Sequence, residues 1–373
     1  MNNSLIPFFP QKDMFIEKAK DCYLIDANGN KYFDMDSGDW AANIGHSRDE
    51  IISVIKDQAE KAIHDGLHCR NKQSEELSKK LLEKTGLTNG SSTFLNSGSE
   101  AVNLGITIAR NLTKRKKVLK LDCSYISSFG FGRNTTDNPD LINIPIDDFT
   151  SIEKLNFKDI AVFVLEAGNS GSLIKFPSNE FIENIANVAK QDGCYLMANE
   201  VTVGFGRTGK WFGFQHYNYT PDIIAVGKAL GNGYPISGVI ISQETTRRFK
   251  ENPFRHAQSH QNDPLGCAVA LEVIRIMDEE GLVERSKETG NYFMKKLIRL
   301  QSDHPNIILD VRGRGLMIGL EFDPKIDFVQ ITKQLLKNGM LVGHKEKVLR
   351  FMPPLIIGKD EIDRLIVILG DSL

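Results

Sequence analysis

Residues 195–214 read YLMANEVTVGFGRTGKWFGF, and residues 221–235 read PDIIAVGKALGNGYP. The first stretch opens with a short apolar run that ends on a polar pair, Asn199–Glu200, then enters a loop rich in glycine and arginine. The second holds another apolar run, Ile223–Val226, that ends at Gly227–Lys228. Two apolar runs of strand length each deliver a polar side chain at their C-terminal end. Open parallel α/β sheets bind their ligands at that edge. A lysine at the end of a buried strand is costly unless chemistry requires it. Desolvation lowers its pKa and makes the amine a nucleophile toward carbonyls, able to form a Schiff base. Lys228 is read as such a lysine.

Working outward, KVLKLDCSYISS (117–128) reads as a strand followed by a loop, with Tyr125 just past the strand end. There it either covers a planar ligand or packs within the loop. IAVFVLEAGNSG (160–171) is another buried strand, ending at Glu166, a pocket residue or a salt-bridge partner. In SSTFLNSGSEAVN (91–103) a strand reaches Asn96, residues 97–100 turn, and a helix starts. Backbone N–H groups at a helix start, beside a small residue, bind phosphate well; the alternative is an ordinary N-cap at Ser97 or Ser99. A helix over 179–193 precedes the strand at Tyr195. Strands alternating with helices predict an α/β fold with a mostly parallel central sheet.

Toward the N-terminus, Cys22–Ile25 and Lys31–Phe33 flank an Asn-Gly turn and predict a hairpin. A helix follows with Ser47 as N-cap and Glu50 three residues later, then a second helix over 74–85 with Gly86 as its C-cap. A long helix starts near Pro264. Beyond it, helices over 281–301, 327–338 and from Lys359 surround short strands at Ile307–Val311, Leu316–Glu321, Leu341–Val342 and Val348–Phe351, an α+β pattern. The expected division is 1–45 as an N-terminal segment of a small domain, 46–265 as a large α/β domain, and 266–373 as the α+β remainder of the small domain.

The chain has 373 residues, 41% hydrophobic and 25% charged, which suits a globular protein with a large core. A net charge of −2 gives no electrostatic case for nucleic acid or an anionic membrane. There is no signal pattern and no run approaching the ~20 apolar residues that span a bilayer. The five scattered cysteines favour free thiols in a cytoplasmic setting. His64 and His68 stand at helical spacing with no glutamate between them, so no metal site is expected.

A strand-end lysine, a phosphate-binding turn, an aromatic and a polar group on a neighbouring strand end together describe a site for pyridoxal phosphate. The motifs SGDWAANIGH, LNSGSEAVN, NEVTVGFGRTGKWFG, PDIIAVGKALGNGYP, NDPLGCAVALEVI, VRGRGLMIGLEF and LRFMPPLI resemble the class III aminotransferases of pyridoxal-phosphate fold type I. The resemblance runs from about Cys22 to the C-terminus. It implies a homodimer with active sites at the subunit interface, a large cofactor domain and a smaller α+β domain. It implies amine or amino acid and 2-oxo acid substrates. Lys228 matches the Schiff-base lysine, Gly98 and Ser99 the phosphate turn, and Tyr125 the aromatic that stacks on the ring. Ser259 matches a threonine that reaches the neighbouring subunit's phosphate. Arg350 matches an arginine that holds a substrate carboxylate, and Trp40 a pocket-lining position.

Several positions depart from that pattern. The family's Asp-Glu-x-Gln is Asn199–Glu200–Val201–Thr202 here, so Asn199 replaces the aspartate paired with the pyridine nitrogen and Thr202 the glutamine near the ring hydroxyl. A carboxylate ~4 Å from a pyridinium is worth about 4 kcal/mol at an effective dielectric of 20, which is roughly 3 pKa units. Asparagine can still hydrogen-bond the nitrogen but brings no charge. His-Gly-Arg after the aromatic is Ile126–Ser127–Ser128, which removes an arginine for an α-carboxylate, and a gating glutamate falls at Gly171. The chain is also shorter than usual before residue 20 and between 130 and 160. The expected reaction is transamination between an amine or amino acid and a 2-oxo acid. Racemisation or decarboxylation on the same scaffold, and a non-catalytic relative, stay open.

Overall fold

A computed structural model describes residues 6, 8, 12, 14–132, 138–168 and 173–373. Its centre is a seven-stranded sheet built from β1 (Ser91–Leu95), β2 (Lys117–Leu121), β3 (Leu141–Ile144), β4 (Ile160–Leu165), β5 (Tyr195–Asn199), β6 (Ile223–Val226) and β7 (Ser237–Ile241). The order is β1-β7-β6-β5-β4-β2-β3. β7 runs antiparallel to both neighbours, and the other strand pairs are parallel. Every residue of β4 and β5 is buried. Their unbroken apolar runs are what a sheet covered on both faces requires. The helix Gly98–Thr113 buries Val102, Leu104, Ile106, Ile108 and Leu112. Each such side chain contributes about 1.5–3 kcal/mol when fully removed from water.

The predicted hairpin forms as Tyr23–Asp26 and Lys31–Asp34. A further strand, Ile16–Lys20, pairs with its first arm; its mostly exposed, polar sequence concealed it. Met340–Leu341 pairs in parallel with Phe33 and Asp34, so the C-terminal third completes the N-terminal sheet. A third sheet, antiparallel throughout, joins Ile308–Arg314, Met317–Phe322, Val348–Phe351 and Gly343–Lys345.

The helix Lys72–Thr85 ends at Gly86 in the left-handed region, φ 75°, as its sequence predicts. Ser47 does not cap its helix. The helix runs Asp49–Ala59 with Arg48 at the N-cap and no capping side chain. Ser47 is itself left-handed, φ 47°, and Glu50 is taken by Arg48. A serine must be extended at the position just before the helix for its hydroxyl to reach the first-turn amides.

Candidate active site

The C-terminal ends of four adjacent parallel strands carry polar side chains side by side: Lys120 on β2, Glu166 after β4, Asn199 on β5 and Lys228 two residues past β6. Two of these are lysines, and their surroundings separate their chemistry. Lys120 is buried in the Val118–Leu121 run, and its Nζ donates to the carbonyls of Leu121 (3.0 Å), Asp122 (3.0 Å) and Ser124 (3.1 Å). An ammonium has three donors and no lone pair. With all three engaged, Lys120 is held as a cation and offers no nucleophile. Burial lowers its pKa, opposed by Cys123, Asp122 and Glu166.

Lys228 is different. Its Nζ donates to one carbonyl, that of Asp39 at 3.2 Å, and stands 4.1 Å from the centre of the Trp40 ring. Burial lowers its pKa, against the pull of Asp39, Glu166 and Asp36. Its own backbone is left-handed, φ 44°. Such a conformation costs about 1–3 kcal/mol and is retained where function or packing demands it.

The lysine's neighbours come from a tight turn. Ser37, Gly38, Asp39 and Trp40 all have positive φ, from 44° to 69°. Asp34 holds this turn by accepting from the amides of Asp36 (2.9 Å) and Gly38 (2.7 Å), and its carboxylate meets His46 Nε2 at 2.9 Å. Trp40 Nε1 donates to Asp36 at 2.7 Å. Burial pushes the Asp36 carboxyl up to about 6, opposed by the Trp40 hydrogen bond and by Arg350. The Arg350 guanidinium lies 5.0 Å from the same indole. Trp40 therefore touches both Lys228 and Arg350, three residues that the sequence assigned to one pocket.

The helix start at Gly98 approaches from the other side. Ser97 is its N-cap, with a complete capping box to Glu100. The amides of Gly98 and Ser99 have no acceptor within the helix. A Cβ on Gly98 would meet Val201 Cγ1 at 2.5 Å, and one on Gly227 would meet Gly98 Cα at 3.3 Å. Only glycine fits at 98, and the helix start is thereby held against the residue before Lys228. A pair of open amides at a helix N-terminus beside a desolvated amine fits a phosphate-bearing aldehyde.

Tyr125 is 52% exposed. Its amide donates to Glu166 at 2.9 Å, and its carbonyl accepts from Asn199 Nδ2 at 3.0 Å. Asn199 Oδ1 accepts the Val201 amide at 3.3 Å. Ser99 Oγ accepts the Ser128 amide at 2.9 Å, tying this loop to the helix start. Ser127 is buried and bonded to Asn103. Thr202 is buried in the turn after β5. Glu200 serves the fold: it accepts the amides of Gly213 (2.7 Å) and Phe214 (2.8 Å), and burial pushes its carboxyl up to about 7. Ser259 is exposed on a turn, with no described contact to the Lys228 group. Gly171 lies outside the described residues.

Lys120 is the member of this edge that the reading of the sequence missed. The signal was a lysine inside an apolar strand, the same anomaly that singled out Lys228. Elsewhere, His64 pairs in space with His260 and not with His68. Both rings present Nδ1 to the Asp263 carboxylate at 2.6 Å on the surface. A cavity of about 600 Å³ lined by Tyr195, Asp222 and Arg248 lies at the opposite edge of the sheet, where β5 begins.

Comparison with known proteins accords with this geometry. Residues 9–137 and 132–373 match the family model described as aminotransferase class-III. The acetylornithine aminotransferase of Archaeoglobus fulgidus is 30% identical over 378 residues, covering 98% of this chain and 97% of the relative. The ornithine aminotransferase of Brevibacillus brevis is 34% identical over 373 residues, covering 93% and 90%. A crystal structure of a Bacillus anthracis aminotransferase superposes with a TM-score of 0.89 at 26% identity, covering 99% of this chain and 95% of that one.

Proposed function

The chain belongs to the class III aminotransferases, pyridoxal-phosphate-dependent enzymes of fold type I, and from that premise we propose that Lys228 is the amine that holds the cofactor in this one. The observation that carries the proposal is the environment of its Nζ: desolvated, with one carbonyl partner, and beside the Trp40 ring that Arg350 also approaches. Bound there, the cofactor supplies an electron sink that loosens the proton on the carbon carrying the substrate's amino group.

The chain's own residues do the rest. The Gly98 and Ser99 amides bind the phosphate at the helix start, where the helix dipole favours an anion. Tyr125 offers an open ring face to the pyridine. Asn199 and Thr202 would meet the polar edge of the bound ring, Asn199 as an uncharged donor. Arg350 binds a substrate carboxylate through its guanidinium fork. Trp40 fills the space between that carboxylate and Lys228, and so sets how far the reacting amine stands from the anchor. Lys228 Nζ, which would hold the cofactor, is also the group placed to move the substrate proton, as general base and then general acid. The names of the relatives support a carboxylate-bearing amine as donor and a 2-oxo acid as acceptor. No helix among the described residues is long and apolar enough to cross a membrane, and the five cysteines are free, which supports a cytoplasmic setting. Ser259, exposed on its turn, is assigned to the phosphate of a second copy in a homodimer. The division into 1–45 with 266–373 and 46–265 is retained as the domain reading.

Two measurements test this. Borohydride reduction after incubation with pyridoxal phosphate is expected to leave a pyridoxyl group on the Lys228 peptide, and Lys228→Ala is expected to leave none. A label on another lysine refutes the assignment. A screen of amino donors against 2-oxo acids is expected to show amino transfer in the wild type and a loss of at least about 10³-fold in Lys228→Ala, the scale of a missing acid–base group. Proton exchange at the substrate carbon with no amino transfer to any acceptor defeats the transaminase reading.

A further inference from the structure

We propose that Lys120 is a positioning residue for Tyr125, acting through the carbonyls of the turn that follows β2. The inference rests on the reading of Tyr125 as the ring face that receives the cofactor.

Lys120 occupies an interior position of a seven-stranded sheet, paired with Asn143 on one side and Val164 on the other. Its strand neighbours Val118, Leu119 and Leu121 are all buried. An ammonium there is costly to desolvate, and only full satisfaction of its donors offsets the cost. All three donors are satisfied, and all three by one short turn. The turn is closed by the Ser124 amide donating to the Leu121 carbonyl at 3.0 Å, and its Asp122 amide is anchored on Ile144 of β3 at 2.9 Å. That leaves three carbonyl oxygens converging on one point. Convergent carbonyls repel, and a cation at their focus turns the repulsion into three charge-assisted hydrogen bonds. A leucine or methionine at 120 would suit the sheet but leave the carbonyls opposed.

The turn leads directly into Tyr125. The Tyr125 amide is fixed on Glu166 and its carbonyl on Asn199, so both backbone groups of that residue are held while the ring stays open. Three residues on, the Ser128 amide is tied to Ser99 at the helix start. Lys120 is the first of these four ties and sets the direction in which the chain leaves β2. Its three N–H donors are committed to the turn and leave no lone pair, so its contribution is geometric.

The test uses the full-length protein with pyridoxal phosphate as probe. Lys120→Met keeps the apolar stem and removes the donors. We expect the dissociation constant for pyridoxal phosphate to rise by about tenfold, the equivalent of 1.4 kcal/mol. Amide deuterium exchange at 125–128 should quicken in the same variant, and Lys120→Arg should recover most of the affinity. In a Tyr125→Ala background, Lys120→Met should cost no further affinity. Unchanged affinity and exchange in Lys120→Met overturns the proposal. So does a full tenfold loss that persists without the Tyr125 ring. Should Lys120→Met fail to fold, Lys120→Gln, which keeps two donors, is expected to give an intermediate affinity. If neither folds, Lys120 serves the sheet and not Tyr125, and the proposal falls. Absence of a borohydride-fixed label on wild-type Lys228 would defeat the cofactor reading instead, before Lys120 is tested.

Discussion

Asn199 is the residue at which sequence and structure add most to each other. The sequence shows an amide where relatives of this chain are expected to have a carboxylate. The structure shows what the amide does: Nδ2 donates to the Tyr125 carbonyl, and Oδ1 accepts from Val201. An aspartate could keep the second bond and not the first. Ionised, it would set a carboxylate oxygen against the Tyr125 carbonyl, with no donor between them. Asn199→Asp is therefore expected to have two separable effects. Without cofactor, the protein should lose about 1–3 kcal/mol of stability, the cost of a buried polar contact turned unfavourable. With cofactor, the ring nitrogen should hold its proton to higher pH, by up to roughly 3 pKa units if charge pairing is complete. Chemical denaturation of the cofactor-free protein reads the first, and ¹⁵N resonance of labelled pyridoxal phosphate reads the second. A variant as stable as wild type would mean the Tyr125 bond contributes nothing. An unmoved ¹⁵N signal would mean that residue 199 does not face the ring nitrogen.

At the scale of elements, the legible parts of the fold were those with a strong local pattern. β4, β5 and β6 are short apolar runs in the sequence and wholly buried strands in the structure. The helix from Gly98 announces itself by Ser97 and Glu100. Elements whose reasons are non-local were not legible. Ile16–Lys20 is a strand because it pairs with Tyr23–Asp26, not because its exposed residues favour one. The left-handed turn at residues 37–40 depends on Asp34, His46 and Met352, and a string of letters does not place those together. Ser47 satisfied a capping pattern one residue away from the true N-cap. The Gly98 helix allows a clean test, because its cap is local and complete: the Glu100 amide donates to Ser97 Oγ at 3.3 Å, and Glu100 accepts from the Ser97 amide at 2.7 Å. Ser97→Ala should lower unfolding free energy by about 1 kcal/mol, as loss of an N-cap does. It should also weaken phosphate binding at the same helix start, since the first-turn amides are then less firmly oriented. Unchanged denaturation midpoints would show that the contact of Gly98 with Val201 and Gly227 holds the helix start without the cap.

At the scale of the molecule, the site depends on a joint that lies below it. Arg207, in the loop after β5, is fully buried. Its guanidinium donates to the carbonyls of Leu316 and Pro353, to Ser37 Oγ and to Asn43 Oδ1. One side chain thus binds the central loop to the N-terminal segment and to two points in the C-terminal third. Burial pushes its pKa down to about 9, with Asp36 and Asp34 opposing. Neutral acceptors surround it, so removing the cation strands several buried oxygens at once. Two of those acceptors flank the site: Ser37 begins the turn that presents Trp40, and Pro353 follows the strand that carries Arg350. Arg207→Met should therefore do more than destabilise. We expect a loss on the order of 3–5 kcal/mol, the cost of several unpaired buried acceptors. Where the folded fraction is assayed, KM for a carboxylate-bearing donor should rise more steeply than the dissociation constant for pyridoxal phosphate, because Trp40 and Arg350 lose their common support while the Gly98 helix start keeps its own. Arg207→Lys, with a point charge in place of the fork, should fall between the two. Equal losses of substrate and cofactor affinity would mean that Arg207 holds the whole fold and nothing in particular at the carboxylate end.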